Sequence, residues 1–110
     1  MLVNEPLLGR YEEVGDLFRV LASPVRVAIV DLLADQECLV HQLVEATGVA
    51  QPLVSQHLRV LRDARLVRRV RRGREMTYAL RVAHVAHIVR DAIAHTKEKE
   101  TEKDQIDYRH

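Results

Sequence analysis

The C-terminal part of the chain contains side chains that can bind a metal ion. If residues 82–97 form a helix with about 100° per residue that extends to Glu98, three imidazoles and one carboxylate lie within an arc of about 80°. The members of this group are His84, His87, His95 and Glu98. Aliphatic residues occupy the opposite side of the same helix, so these histidines are not expected to belong to the core.

The spacing of this group predicts a site shared between two helices. His84 and His95 lie eleven residues apart, about 16 Å along a helix that rises about 1.5 Å per residue, so one ion cannot contact both on one helix. Antiparallel pairing of two copies, crossing near Asp91, brings His84 and His87 of one subunit level with His95 and Glu98 of the other. This ligand set suits tetrahedral Zn(II) and gives two sites per homodimer. A solvated polar stripe is the alternative that spacing leaves open.

A run of arginines is the second group of residues that could carry a function. Residues 51–81 contain nine arginines and two acidic residues, whereas residues 1–50 contain three arginines and eight acidic residues. The net charge of +1 therefore hides one strongly basic segment. This distribution is typical of a surface that binds nucleic acid, and a solvated charged face is the alternative.

Length and composition limit the class of protein. A chain of 110 residues with 47% hydrophobic residues has room for one domain with a packed core, which is mainly aliphatic because the chain has no Trp and one Phe. The single cysteine excludes an internal disulfide and CxxC motifs. Because charges interrupt every apolar run, we expect a soluble, cytoplasmic protein with no membrane partner. The absence of a phosphate loop or an HExxH motif argues against an enzyme.

Periodicity predicts a mainly α protein with a small β-hairpin. Ser23 and Pro24 are typical of the start of a helix, and Gly48 is typical of a residue that ends one. The predicted helices cover residues 11–21, 40–46, 52–64 and 82–97, with another beginning at residue 24, and the predicted strands cover residues 66–70 and 75–80. This order is that of a winged helix-turn-helix. We expect residues 1–98 to form this domain and residues 99–110 to form a charged flexible tail.

The helix-turn-helix reading assigns roles to individual side chains. The second helix of the motif enters the major groove with its N-terminal residues at base edges. We therefore predict base contacts from Gln51, Ser55, Gln56 and His57, and a phosphate contact from Arg59. The arginines at the hairpin tip are predicted to reach a phosphate or the minor groove, and they are Arg71, Arg72 and Arg74. The buried side of this helix is predicted to carry Leu53, Val54, Leu58 and Leu61.

These features resemble the ArsR/SmtB family of metal-responsive bacterial repressors, over about residues 11–98. The resemblance lies in the run LASPVR at residues 21–26, in residues 48–61 with their VSQHL core, and in Gly73-Arg74 followed by Tyr78 and Leu80. It implies an apo homodimer, joined through its terminal helices, that binds an inverted-repeat operator in double-stranded DNA. It further implies that Zn(II) binding at the C-terminal helices releases the DNA and derepresses metal-homeostasis genes.

The zinc-sensing branch of this family carries Asp-x-His, ten residues, and then His-x-x-Glu or His-x-x-His. His84, the ten-residue gap, His95 and Glu98 match this pattern, but Val82 stands at the aspartate position. Since valine cannot bind a metal, either His87 takes the vacant place or the site keeps three protein ligands and water. We favour His87.

Two other functions remain open at this point. One is a Ni(II) or Co(II) sensor in which Asp104, Asp107 and His110 of the tail supply extra ligands. The other is a metal-independent DNA-binding protein. Cys38 falls one position from the family's usual cysteine ligand and has no second thiol nearby, so we expect it to be a small buried or half-buried hydrophobic residue.

Overall fold

The computed structural model describes the backbone of residues 7–109 and the side chains of residues 7–98. Over that range the chain is mainly α-helical with a small antiparallel sheet, as predicted. After a 3₁₀ turn at Leu7–Tyr11, the elements are α1 (Glu12–Leu21), α2 (Pro24–Leu33), β1 (Cys38–Leu39), α3 (Val40–Thr47), α4 (Gln51–Asp63), β2 (Val67–Arg72), β3 (Glu75–Leu80) and α5 (His84–Arg109). This is the architecture of a winged helix-turn-helix.

Local signals in the sequence define the helix ends. Ser23 has an extended backbone, and its side chain accepts a hydrogen bond from the Arg26 amide at 3.3 Å, so it caps α2 as predicted. Gly48 ends α3 in the left-handed conformation with φ +72°, and its amide donates to the Val44 carbonyl at 2.8 Å. Glycine adopts this conformation without the steric cost of a Cβ. The turn of the helix-turn-helix therefore depends on Gly48.

The sheet is formed by three antiparallel strands in the order β1-β3-β2. Pairing of Arg72 with Glu75 closes the β2–β3 hairpin, leaving only Gly73 and Arg74 between the strands. The sequence placed Arg71 and Arg72 in the loop, whereas the structure places both on β2. The two-residue strand β1 pairs Cys38 with Tyr78, and its shortness explains why no alternation predicted it.

The core is aliphatic and joins all the helices to the sheet. Val54, Leu58 and Leu61 are buried on α4 as predicted, and Cys38 is a buried hydrophobic residue as expected. The predicted burial of Leu53 is wrong, because this side chain is 50% exposed. At about 100° per residue, Leu53 is turned about 100° from Val54 and about 140° from Leu58, so it lies off the side that packs.

Helix α5 is longer than predicted, because its backbone continues to Arg109 instead of ending near residue 97. Lys and Glu dominate residues 97–103, and both have high helix propensity, which favours continuation. The division of the chain at residue 98 and the flexibility of residues 99–110 stay predictions. Among the residues that the structure describes, no helix has the length and hydropathy needed to cross a membrane.

Candidate nucleic-acid interface and metal centre

The polar side of α4 faces outward from the core. Burial of Val54, Leu58 and Leu61 fixes the rotation of the helix. The side chains left exposed by this rotation include Gln51, Ser55, Gln56 and Arg59. The structure thus brings these predicted DNA-contacting residues to one accessible surface, next to the turn at Gly48, and their contacts with bases and phosphate stay predictions.

His57 occupies a different position from the other predicted base contacts. Its side chain is half-buried, and Arg26 Nη1 lies 3.1 Å from its Nδ1. A guanidinium has no acceptor, so the Nδ1 of His57 must accept this hydrogen bond. Arg26 Nε also donates to the Val20 carbonyl at 2.5 Å. His57 therefore anchors α4 to α2 and the end of α1, an inward role that the sequence analysis missed.

The three arginines predicted to contact DNA at the hairpin are exposed but not equivalent. Arg72 donates two hydrogen bonds to the Glu37 carboxylate, at 3.1 Å from Nε and 2.5 Å from Nη2, and Thr77 Oγ1 donates to the same carboxylate at 2.7 Å. The Arg72 hydrogen bond, followed by that of Thr77, lowers the pKa of Glu37 from 4.5 to about 2. Glu37 therefore braces the hairpin against the loop before β1. Nothing in local sequence spacing could indicate this pair, because its members are 35 residues apart.

The predicted metal ligands lie outside the core, as expected from their helical phase. His84, His87, His95 and Glu98 are all exposed, whereas Val85 and Val89 of the same helix are 1% and 3% exposed. Among the described residues, no group of three His, Cys, Asp or Glu side chains is close enough to hold a metal ion. The donor types of these four side chains are ones that Zn(II) accepts, and the described part of one protomer does not bring three of them together.

Arg90 connects the histidine-bearing helix to α2. It donates to Asp31 Oδ1 at 2.9 Å, to the Asp31 carbonyl at 3.0 Å and to Asp35 Oδ1 at 2.9 Å. Arg90 lies between His87 and His95 along α5. Because α2 also holds His57 of α4 through Arg26, the two candidate surfaces are both attached to α2.

The N-terminal elements expose an apolar stripe. Leu17 and Leu21 of α1 pack on the core. Five large apolar side chains point away from it, with exposures between 45% and 75%: Leu7, Leu8, Tyr11, Val14 and Phe18. Their spacing follows one side of a helix, which is typical of a surface that another molecule covers.

Comparison with known proteins supports the assignment of the fold. Residues 23–69 match the model of the arsR family of bacterial regulatory proteins. The chain is 54% identical over 84 residues to the HTH-type transcriptional repressor SmtB of Mycobacterium tuberculosis, covering 76% of this chain and 62% of that protein. The chain thus spans less than two thirds of that relative's length.

Solved structures agree with this comparison. The crystal structure of the transcriptional repressor BigR from Xylella fastidiosa matches with a TM-score of 0.72 and 32% identity, covering 86% of this chain and 93% of that one. The homodimeric winged helix-turn-helix domain of Mb0332 from Mycobacterium bovis matches in fold, with a TM-score of 0.77 and 24% identity over 92% of this chain and 95% of that one.

These proteins are DNA-binding transcriptional regulators and not enzymes. The matched residues 23–69 include α3, the turn at Gly48 and α4, which form the helix-turn-helix. The chain therefore belongs to the ArsR/SmtB family of winged helix-turn-helix regulators.

Proposed function

We propose that this protein is a homodimeric, Zn(II)-responsive repressor that acts in the cytoplasm. Without metal, the dimer binds an inverted-repeat operator in double-stranded DNA. Zn(II) binding to the paired α5 helices favours a form with weak DNA affinity, and genes for metal homeostasis are then transcribed. The observation that carries this proposal is the exposed set of imidazoles and a carboxylate on α5 of a complete winged helix-turn-helix.

The DNA-binding part rests on the outer surface of α4 and on the hairpin. Gln56 can bond adenine through two hydrogen bonds, and Ser55 can bond several bases. Arg59 of α4 and Arg71 and Arg74 of the hairpin are exposed cations and suit phosphate contacts. Arg72 is a phosphate contact only if DNA replaces or shares its Glu37 partner.

The dimer rests on two exposed surfaces. The apolar stripe at Leu7–Tyr11 and on α1 would lose its contact with water if a second copy covered it. The solved Mb0332 domain, which shares this fold, is homodimeric. Pairing of α5 with the α5 of the second copy would then bring together the two pairs of metal ligands that are separated within one protomer.

In the proposed dimer, His84 and His87 of one protomer would hold Zn(II) together with His95 and Glu98 of the other. Bound Zn(II) would tie two protomers at a fixed separation, and the Arg90 contacts would transmit this constraint to α2. Zn(II) needs only to prefer the weakly binding form by about 1 to 3 kcal/mol to change DNA affinity about 5- to 150-fold.

The length of α5 favours this arrangement over a Ni(II) or Co(II) site that includes the tail. The backbone is helical through Asp104 and Asp107, which places Asp104 about 14 Å beyond His95 at about 1.5 Å per residue. Within one protomer, these residues could join His95 only if the helix ended earlier. His110, the remaining tail ligand of that alternative, lies outside the described residues.

The test measures DNA affinity of the full chain with and without metal. Apo protein first selects duplexes from a randomised library, and fluorescence anisotropy on a selected duplex at fixed salt then follows titration with Zn(II), Ni(II) or Co(II). We expect release by Zn(II) at two ions per dimer. Release by Ni(II) or Co(II) alone would contradict the zinc assignment, and selective binding that no metal changes would leave a metal-independent regulator.

Two histidine variants give this test a matched control. His95→Ala should keep apo DNA binding and lose release by Zn(II), whereas His41→Ala, which removes an exposed histidine of α3, should retain both. His87→Ala should weaken Zn(II) binding. Unchanged Zn(II) affinity in that variant would favour the site with three protein ligands and water.

A further inference from the structure

Leu53 is exposed on α4, off the side of the helix that packs on the hydrophobic core. It is 50% exposed, whereas Val54, one residue later, is fully buried. A single exposed leucine is ordinary on a protein surface, so the neighbours of Leu53 must indicate what covers it.

The neighbours of Leu53 point to duplex DNA. Leu53 is the third residue of α4 and lies one helical turn before Gln56, with both side chains exposed. The exposed cations Arg59, Arg71 and Arg74 lie on α4 and on the adjoining hairpin. This surface is complementary to a polyanion, and the first turns of such a helix are the part that enters the major groove.

We propose that Leu53 determines specificity by packing against the C5-methyl group of a thymine in the operator. This inference rests on the proposed DNA-binding function. In the major groove, thymine presents a methyl group that an apolar side chain can contact, and the other bases present no such group there. An aliphatic side chain that reaches into the groove gains affinity from covering that methyl and loses it where the methyl is missing.

The position of Leu53 also places this thymine relative to the base that Gln56 reads. Cβ atoms at positions i and i+3 of a helix are about 5 to 6 Å apart, and successive base pairs are about 3.4 Å apart along the duplex. The thymine should therefore lie within about two base pairs of an adenine contacted by Gln56. Each half-site of the operator should contain both bases at this spacing.

The test exploits the fact that deoxyuridine differs from thymidine by the methyl group alone. Full-length apo protein selects from two randomised duplex libraries, one made with thymidine and one with deoxyuridine, and the enriched sequences are compared position by position. The preferred duplex is then made with uracil at each thymine in turn, and its affinity is measured by anisotropy. We expect about fourfold weaker binding at one position per half-site, since one buried methyl contributes about 0.8 kcal/mol.

Leu53→Ala should bind the thymine and uracil duplexes with equal affinity, near that of the unchanged protein on uracil. Leu53→Met, which keeps an apolar side chain, should retain discrimination. The matched control is Val60→Ala, which shortens another exposed apolar side chain of α4, 38% exposed and about two turns farther from the helix start. It should leave the difference between thymine and uracil intact.

Several outcomes would overturn the inference while leaving DNA binding established. One is wild-type protein that binds thymine and uracil duplexes equally at every position. Another is a Leu53→Ala variant that keeps the full discrimination. A shift of Leu53→Ala from dimer to monomer in sedimentation would show that a second copy covers Leu53. Failure of the wild-type protein to select any sequence would instead contradict the proposed function itself.

Discussion

The surface of α4 with its hairpin and the surface of α5 differ in how much of their chemistry one protomer provides. Arg26 holds His57 of α4, and Glu37 holds Arg72 of the hairpin, so the candidate DNA surface is organised by contacts within one chain. The candidate metal ligands of α5 are exposed and not grouped within one chain. Variants should therefore separate DNA binding from the metal response.

The largest contrast should appear in stability. Leu58 of α4 is 1% exposed and belongs to the core, so Leu58→Ala should lower the free energy of unfolding by about 2 to 5 kcal/mol. His87→Ala on the exposed face of α5 should change it by less than about 0.5 kcal/mol. Urea unfolding of the apo proteins at matched concentration measures both. A similar loss for His87→Ala would mean that the α5 face is packed even without metal.

The second contrast concerns the arginines of the β2–β3 hairpin. Arg71→Ala combined with Arg74→Ala should weaken binding to selected and random duplexes alike and flatten the slope of log affinity against log salt by about 1.8, at about 0.9 per phosphate contact. Arg72→Ala should flatten it less, because Glu37 already neutralises this side chain. Affinities over a series of salt concentrations provide the measurement. Equal slopes for Arg72→Ala and a single Arg74→Ala variant would show that DNA displaces Glu37.

The sequence was most informative where local chemistry decides the structure. Ser23 caps α2 and Gly48 closes α3 because their own backbone requirements are readable from residue type. The alternation of apolar and polar residues on both sides of Gly73 predicts the hairpin. It predicts strands that are too short, because Arg71 and Arg72 are of a type common in loops but lie on β2. These local rules were sufficient to predict the winged helix-turn-helix.

The sequence was least informative where contacts join distant segments. The inward hydrogen bond of the His57 side chain depends on Arg26, 31 residues away, and the restraint of Arg72 depends on Glu37. The exposure of Leu53 depends on which side of α4 meets the rest of the core, and an apolar residue type alone predicted burial. The exposure of the four predicted metal ligands on α5 agrees with their helical phase, whereas the proposed pairing with a second chain stays a prediction.

The third contrast lies within α4 and separates anchoring from base reading. His57→Ala should lose the Arg26 hydrogen bond, lower the free energy of unfolding by about 0.5 to 1.5 kcal/mol, and weaken binding to selected and random duplexes in proportion. Gln56→Ala should leave stability unchanged and relax selectivity at one base position. Urea unfolding and position-wise selection distinguish the two. Loss of selectivity at one position in His57→Ala would instead support the predicted base contact of His57.

The smallest expected effect is the loss of stability when acid protonates Glu37, which holds Arg72 of the hairpin. The Arg72 hydrogen bond lowers the pKa of Glu37 to about 2 from 4.5, so the folded state binds a proton less readily than the unfolded chain. The contribution of Glu37 to stability is therefore fully present above pH 4.5 and is lost as the pH falls through about 2. Carbon NMR of the Glu37 carboxyl group should show this low midpoint in the wild-type protein and a higher midpoint in Arg72→Gln. A midpoint near 4.5 in both proteins would mean that Arg72 does not bind Glu37 in solution. DNA could then bind Arg72 without displacing any partner.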